Sequence, residues 1–378
     1  MIVERPALER RVMQSLDAGR IPVILGGCGS GLTSLLLRLE QTLGPGRAQY
    51  LDMAAAATTP ERCLAAVLAV SRLRGTSGTS TDAGAGTDRA FVALLDYFDA
   101  ASDADQPATF LLDEFLDVRT FESFPGLRHV QLDLITRLAA SRTRFVLTSR
   151  FTARVHRLLR DAPARFEVIH IAPLDDAEVE SLLEHMSRGR RLRMGDTAAV
   201  VSALTGGHAG TAHLLLAAVG SSDAAVDVTR AMAHGFAPDG ALTAHWRGCY
   251  EFRLHRARGY GALKAILGIL AETEGLTLTH IAHHLQRTPG STKDYLSWLE
   301  DVDLIVMHGK RYSYTEPLLR LFVRLYGKPV PPSADDVRRE VADYARPRLP
   351  ASRTHAGAGA PAVEPAADPS RSGIIEID

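Results

Sequence analysis

The chain has 378 residues, 46% hydrophobic and 23% charged, with a net charge of -1; this is ordinary globular composition, with core enough for two or three domains. Near-neutral charge gives no global reason to expect nucleic acid or an anionic membrane as partner. There is no apolar run of roughly 18 residues to span a membrane, "MIVERPALERRV" lacks the apolar core of a signal peptide, and Cys28, Cys63 and Cys249 stand too far apart to indicate a disulfide framework or zinc site, so a cytoplasmic protein is expected.

In chain order, residues 4–19 predict a short amphipathic helix, "IPVILGG" a buried strand ending in glycines, and "TSLLLRLEQTL" a helix. "AQYLDM" (48–53) predicts a second strand, and Thr59-Pro60 opens a further helix as N-cap and first helical residue. Residues 75–88, rich in Gly, Ser and Thr, predict a flexible insertion. A helix over 89–101, the apolar run 108–115, helix 127–140, strand 144–150, helix 152–160 and strand 166–174 follow. Apolar strands alternating with helices predict a parallel sheet covered by helices on both faces over 1–174. Residues 175–235 predict a helical domain, and 236–327 helices with a hairpin in winged-helix order. Beyond 328 the chain reads as a mostly disordered tail, with one short helix allowed at 334–345.

Three stretches carry chemistry. "GGCGSGLTS", from Gly26 through Gly27, Cys28, Gly29, Ser30, Gly31, Leu32 and Thr33 to Ser34, has the spacing of a phosphate-binding loop between strand and helix. Glycines let backbone N–H groups face phosphates at a helix N-terminus, and Thr33 supplies a hydroxyl for Mg²⁺. Leu32 stands where the motif has lysine, and lysine occurs only at 264, 293, 310 and 328. A lysine ~4 Å from a phosphate contributes on the order of 4 kcal/mol at an effective dielectric of ~20. Its absence predicts weakened binding and very slow hydrolysis, because transition-state charge suffers most. Restoring it by Leu32→Lys is expected to tighten nucleotide binding roughly tenfold. "FLLDEF" ends a strand in Asp113, a candidate Mg²⁺ ligand, and Glu114, a candidate orienter of water. "FVLTSR" brings Thr148, Ser149 and Arg150 to a strand end, with Arg150 suited to the γ-phosphate.

The order of these motifs resembles the STAND-class P-loop ATPases, related to AAA+ proteins, and especially the archaeal ATPase-like prokaryotic ATP-binding proteins with a C-terminal winged helix. The resemblance covers residues 3–326. It implies a P-loop NTPase sheet, helical lid and winged helix-turn-helix, ATP or ADP with Mg²⁺ as ligands, a nucleotide-dependent switch, and Arg5 near the adenine. "TGGHAGTAHLLLAA" looks like the lid motif, with Ala209 in place of its usual proline.

The C-terminal unit holds eleven Lys/Arg against nine Asp/Glu over 236–327. It leaves open DNA, through Lys310, Arg311, Arg247, Arg253, Arg256 and Arg258, or an unidentified protein partner. The last residues, "IIEID", suit strand addition to a partner, and a homo-oligomer is left open. Beside the switch stand two rival readings, a non-hydrolysing scaffold on a degenerate ATPase fold and a winged-helix DNA-binding regulator.

Overall fold

The computed structural model describes residues 4–44, 46–71, 86–100, 108–186, 194–220, 228–257 and 259–349. The first unit begins with α1 (Pro6–Asp17), β1 (Ile21–Leu25), α2 (Leu32–Leu43) and β2 (Ala48–Asp52). There follow α3 (Met53–Ala56), α4 (Pro60–Ala69), α5 (Thr87–Ala100), β3 (Thr109–Asp113) and a 3-10 helix (Phe115–Ser123). It ends with α6 (Val130–Ala140), β4 (Arg144–Ser149), α7 (Thr152–Leu158) and β5 (Phe166–His170). The five strands form one sheet in the order β2-β3-β4-β1-β5, every pairing parallel.

Both faces of this sheet are core. Ile21, Val23 and Leu25 of β1, Phe110 and Leu112 of β3, and Phe145 and Leu147 of β4 pack into one cluster with α4, α5 and α6. The intervening Ile24, Leu111 and Val146 pack on the other side with α1 and α2. Two-sided burial is why the strands read as unbroken apolar runs. The order also sets β1 beside β4 and β4 beside β3, so the loop after β1 and the ends of β3 and β4 meet at one carboxyl edge, where ligands of such sheets bind.

Four helices follow, α8 (Asp176–Met186), α9 (Met194–Thr205), α10 (Ala209–Gly220) and α11 (Val228–Gly235). The last unit contains α12 (Ala241–His255), α13 (Tyr260–Glu272), β6 (Leu276–Thr277), α14 (Leu278–Leu285) and α15 (Pro289–Asp301). It continues with β7 (Ile305–His308), β8 (Arg311–Tyr314), α16 (Pro317–Tyr326) and α17 (Ala334–Ala345). β6, β8 and β7 form a small antiparallel sheet, and the two-residue turn Gly309-Lys310 has φ of 54° and 65°. Positive φ at both positions matches the twist of a tight hairpin. Leu296 and Leu299 of α15 are fully buried.

The segment after 328, expected as mostly disordered, contains α17, capped by Ser333 and Asp336 and packed through Val337, Val341 and Ala345. Tyr344 donates a hydrogen bond to the Leu204 carbonyl at 2.9 Å. The "IIEID" end, Arg258 and residues 75–85 of the expected insertion lie outside the described residues, while Thr87 and Asp88, also expected in the insertion, open α5. Among the described residues no helix is long and apolar enough to cross a membrane.

The last unit docks on the first through α7. Asp303, in the left-handed region at φ 52°, accepts the Ala153 amide at 3.4 Å and so caps α7 from outside its own chain segment. Arg157 pairs with Asp301, and Arg256 with Asp117. Burial pushes the Asp303 carboxyl up to about 6, against the opposing Arg253 charge, and its Oδ2 is buried without a hydrogen-bond partner. The folded protein therefore binds this proton more tightly than the unfolded chain, so the group's contribution to stability grows as pH falls through about 6. Asp303→Asn should remove that component. Melting temperature measured from pH 7 to 5 should rise less, or fall more, in the variant than in the parent; identical slopes would refute this assignment.

Candidate functional site

Gly29 and Gly31 adopt φ of 82° and 97°, which L side chains avoid, and this lets the chain turn from β1 into α2. Thr33 is exposed on the first turn of α2, with Ser34 half-buried beside it. Thr33 donates to Asp113 Oδ2 at 2.6 Å. Asp113, 4% exposed, also accepts Tyr50 Oη at 3.0 Å and, on Oδ1, Thr148 Oγ1 at 2.5 Å. The loop hydroxyl and the strand-end carboxylate thus converge, one oriented by the other. Tyr50 and Thr148 hold Asp113 in place, two roles the motifs alone did not assign.

Glu114 takes the left-handed region at φ 53°, a strained backbone for a non-glycine residue. Its side chain turns to Arg150, whose Nε donates to Oε1 at 2.6 Å. The Arg150 guanidinium also stacks over Phe252 of α12, 4.4 Å from the ring centroid. Burial raises the Glu114 carboxyl above its ordinary range, opposed by the Arg150 charge. The candidate water-orienting acid and the candidate γ-phosphate arginine are therefore bound to each other. Neither is free in this state.

Arg5, 7% exposed, donates to the Ala172 carbonyl at 2.6 Å. It opens onto a cavity of about 360 Å³ shared by the loop (Gly27, Ser30), the strand end (Ile171–Pro173), the Gly206–Ala209 turn, Trp246, Glu316 and α17 (Tyr344). That volume lies in the range of small-ligand pockets. The Ser30 hydroxyl is buried and without a hydrogen-bond partner. A glycine cradle, an orphan hydroxyl, a Thr–Asp pair and an adjoining cavity fit a phosphate chain with a hard divalent cation, whose remaining ligands would be phosphate and water.

The cradle is covered. Arg253, 2% exposed, holds Glu316 through Nη1 to Oε2 at 2.9 Å and Nη2 to Oε1 at 3.2 Å. A side chain at Gly27 would collide with Glu316 Oε1 and lie 3.6 Å from Arg253 Nη2. His208 Nε2 lies 2.8 Å from the Cys28 carbonyl, and the Gly210 amide donates to the Gly29 carbonyl at 2.9 Å. The His245 ring abuts Gly29. Burial lowers both histidines, His245 to about 4, so they are neutral near pH 7. Cys28 is bonded to Cys249 of α12, with a Cα–Cα distance of 5.9 Å. This corrects the expectation from cysteine spacing: 221 residues separate the two, and only the folded chain brings them together.

Two further expectations change. Leu32 is 5% exposed and packs with Val12, Leu16, Ile24, Leu35, Leu36 and Leu39 in the core between the sheet, α1 and α2. Of the cations considered for DNA, Arg253 and Arg256 are committed to ion pairs. Arg247 lies 5.8 Å from the Tyr326 ring centroid, Arg311 donates to the Gly275 carbonyl at 2.7 Å, and Lys310 is exposed at the hairpin turn.

No family model and no curated sequence matches the chain. Among solved structures, a Walker-type ATPase of Pyrococcus abyssi is similar over 85% of this chain and 96% of its own, with a TM-score of 0.65 and 17% identity. The fold is that of the P-loop ATPases. Aeropyrum pernix ORC1, solved in complex with DNA, aligns over 91% of this chain and 93% of its own at TM-score 0.44 and 15% identity. A RuvB variant of Thermotoga maritima aligns over 87% and 96% at TM-score 0.42 and 12% identity.

Within this P-loop fold, burial of Leu32 adds a stability cost to Leu32→Lys. The ammonium must leave an apolar cluster, and the lost leucine packing should destabilise the fold by on the order of 2 kcal/mol. Leu32→Met, which conserves volume, should cost less than about 1.5 kcal/mol. Melting curves of both variants check this, and a lysine variant as stable as the parent would place the side chain in the cavity instead.

Proposed function

We propose that this chain is a nucleotide-dependent molecular switch, in which ATP or ADP with Mg²⁺ binds the 26–33 loop and competes with the C-terminal unit for it. That unit we read as a winged helix, and the helices between it and the sheet as a lid. One observation carries the proposal: Glu316, from the start of α16, presses its carboxylate against Gly27 in the phosphate cradle. An anion already rests where phosphate would. In this reading Thr33 and Asp113 hold the metal, which supplies charge neutralisation for the phosphates, and Arg5 lines the pocket for the base.

The reading also supplies the missing cation. Arg253 grips Glu316 with two N–H groups, the fork geometry that binds phosphate equally well. Hydrolysis should be slow, because Leu32 is apolar and packed, and Glu114 is tied to Arg150.

The scaffold reading draws on the same cover and on the burial of Leu32, and it expects no nucleotide binding under any condition. A DNA-binding regulator has less support, since Arg253 and Arg256 are engaged in ion pairs within the chain. Calorimetric titration with ATP·Mg²⁺ separates the readings. Glu316→Gln, which keeps shape and removes the competing charge, should tighten binding about tenfold, equivalent to ~1.4 kcal/mol. Asp113→Ala should abolish the Mg²⁺ dependence. If Glu316→Gln remains folded, as a cooperative melting curve would show, and still takes up no nucleotide, the switch is refuted and the scaffold stands.

A further inference from the structure

The cover over the cradle is covalent at one point, and that point is inside the loop. Cys28 is the third residue of the glycine stretch, and Cys249 lies in the middle of α12, four residues before Arg253 and three after Trp246. Gly27 is pressed by Glu316, Cys28 is bonded, and Gly29 is pressed by His245. Three consecutive residues of the loop are therefore engaged by groups from beyond residue 240. A disulfide serving stability alone constrains the unfolded chain wherever it closes a long loop. This one fixes a helix over an anion site.

We propose that Cys28–Cys249 is a redox-modification site whose state decides how rigidly α12 is fixed over the cradle, and that its reactant is a dithiol, either a small molecule or a protein dithiol of the thioredoxin type. In the oxidised chain, α12 is tethered to the loop and carries Arg253, which holds Glu316 in place. Cys28 is half-buried while Cys249 is 2% exposed, so the thiolate of the reductant attacks the Cys28 sulfur. The S–S bond breaks and Cys249 leaves as thiolate. It takes a proton in a setting where its sulfur lies 3.7 Å from His245 Nε2. The second thiol of the reductant then displaces Cys28. Two electrons pass to the protein, which gains two S–H groups, and the reductant leaves as its own disulfide. Freed of the tether, α12 is held on the loop by non-covalent contacts alone, so it can shift far enough for a phosphate chain to take the place of Glu316 beside Arg253.

The chain contains its own control. Cys63, the third cysteine, is fully buried and unbonded, and burial pushes its thiol up to about 12. It has too little thiolate and access to react. Redox effects on the native protein thus report on the Cys28–Cys249 pair.

The proposal rests on the nucleotide reading for its consequence and not for its chemistry, so two readouts on the full chain separate them. The chain is oxidised with diamide or reduced with dithiothreitol. Hydrogen exchange is followed at the amides of 26–31 and 241–255 without nucleotide, and ATP·Mg²⁺ affinity is measured by calorimetry. Reduction should raise exchange in both segments and tighten nucleotide binding by about tenfold or more. Cys249→Ser should behave as the reduced parent whether or not reductant is present, and Cys63→Ser should keep the full redox response. If reduction raises exchange but no nucleotide binds in either state, the redox site stands and the nucleotide reading fails. Exchange in both segments that ignores reductant, or free thiols at Cys28 and Cys249 after diamide, overturns the redox site itself.

Discussion

The Arg253–Glu316 ion pair joins the C-terminal unit to the loop after β1, with Arg253 almost fully buried and Glu316 against Gly27. Two charges taken out of water repay their desolvation only with good geometry and added hydrogen bonds. The pair has both: the contact is two-pronged, and Arg253 Nη1 also donates to the Asp303 carbonyl at 3.1 Å. Breaking such a pair by removing one partner costs roughly 3–5 kcal/mol, since a buried charge is left alone. A phosphate arriving at Gly27 need not pay that cost. On the proposed function it would offer Arg253 a replacement anion as Glu316 left for water, so exchange of anions would be cheaper than loss of one.

The turn at Asp303 links this pair to the sheet. Its carbonyl accepts from Arg253 and from Thr315 Oγ1 at 2.5 Å, while its side chain caps α7. α7 follows directly on β4, whose end leads into Arg150, and Arg150 stacks on Phe252 of α12. A closed circuit results: Glu114 to Arg150, Arg150 to α12, α12 through Arg253 to Glu316, and Asp303 back to α7. Movement of α12 from the cradle would draw Phe252 away from Arg150. The acid and arginine that now bind each other would then be open to other partners.

Much of this was legible in the sequence. Continuous apolar runs identified the strands because both faces of the sheet are buried, and Asp113 was found because its role depends on ending one such strand. The Glu114–Arg150 pairing was not legible, since each was assigned to a ligand and tertiary packing gave them to each other. Cys28 with Cys249, and Gly27 with Glu316, lie hundreds of residues apart, and no local pattern joins them. The destination of Leu32 is different. Leu32, Leu35, Leu36 and Leu39 repeat at the spacing of a helical apolar stripe, a signal available in the sequence but outweighed by the motif position. α17 was legible as the one short helix allowed at 334–345, although its polar composition resembles the tail and only three small or β-branched side chains are buried.

A residue at position 32 meets two incompatible demands. A lysine there serves phosphate, whereas a leucine completes the stripe that binds α2 to α1 and the sheet. Once the stripe is completed, a cation for phosphate must come from another element, and α12 brings Arg253 to within reach of Gly27. A loop lysine is present whatever the rest of the protein does. An arginine on α12 is present only while the C-terminal unit lies on the loop. On the proposed function, the charge needed to hold phosphate and the unit that covers the loop would arrive together, and affinity for nucleotide would depend on the position of that unit. Arginine suits this task better than lysine, because its planar fork meets a carboxylate or a phosphate with two parallel N–H groups.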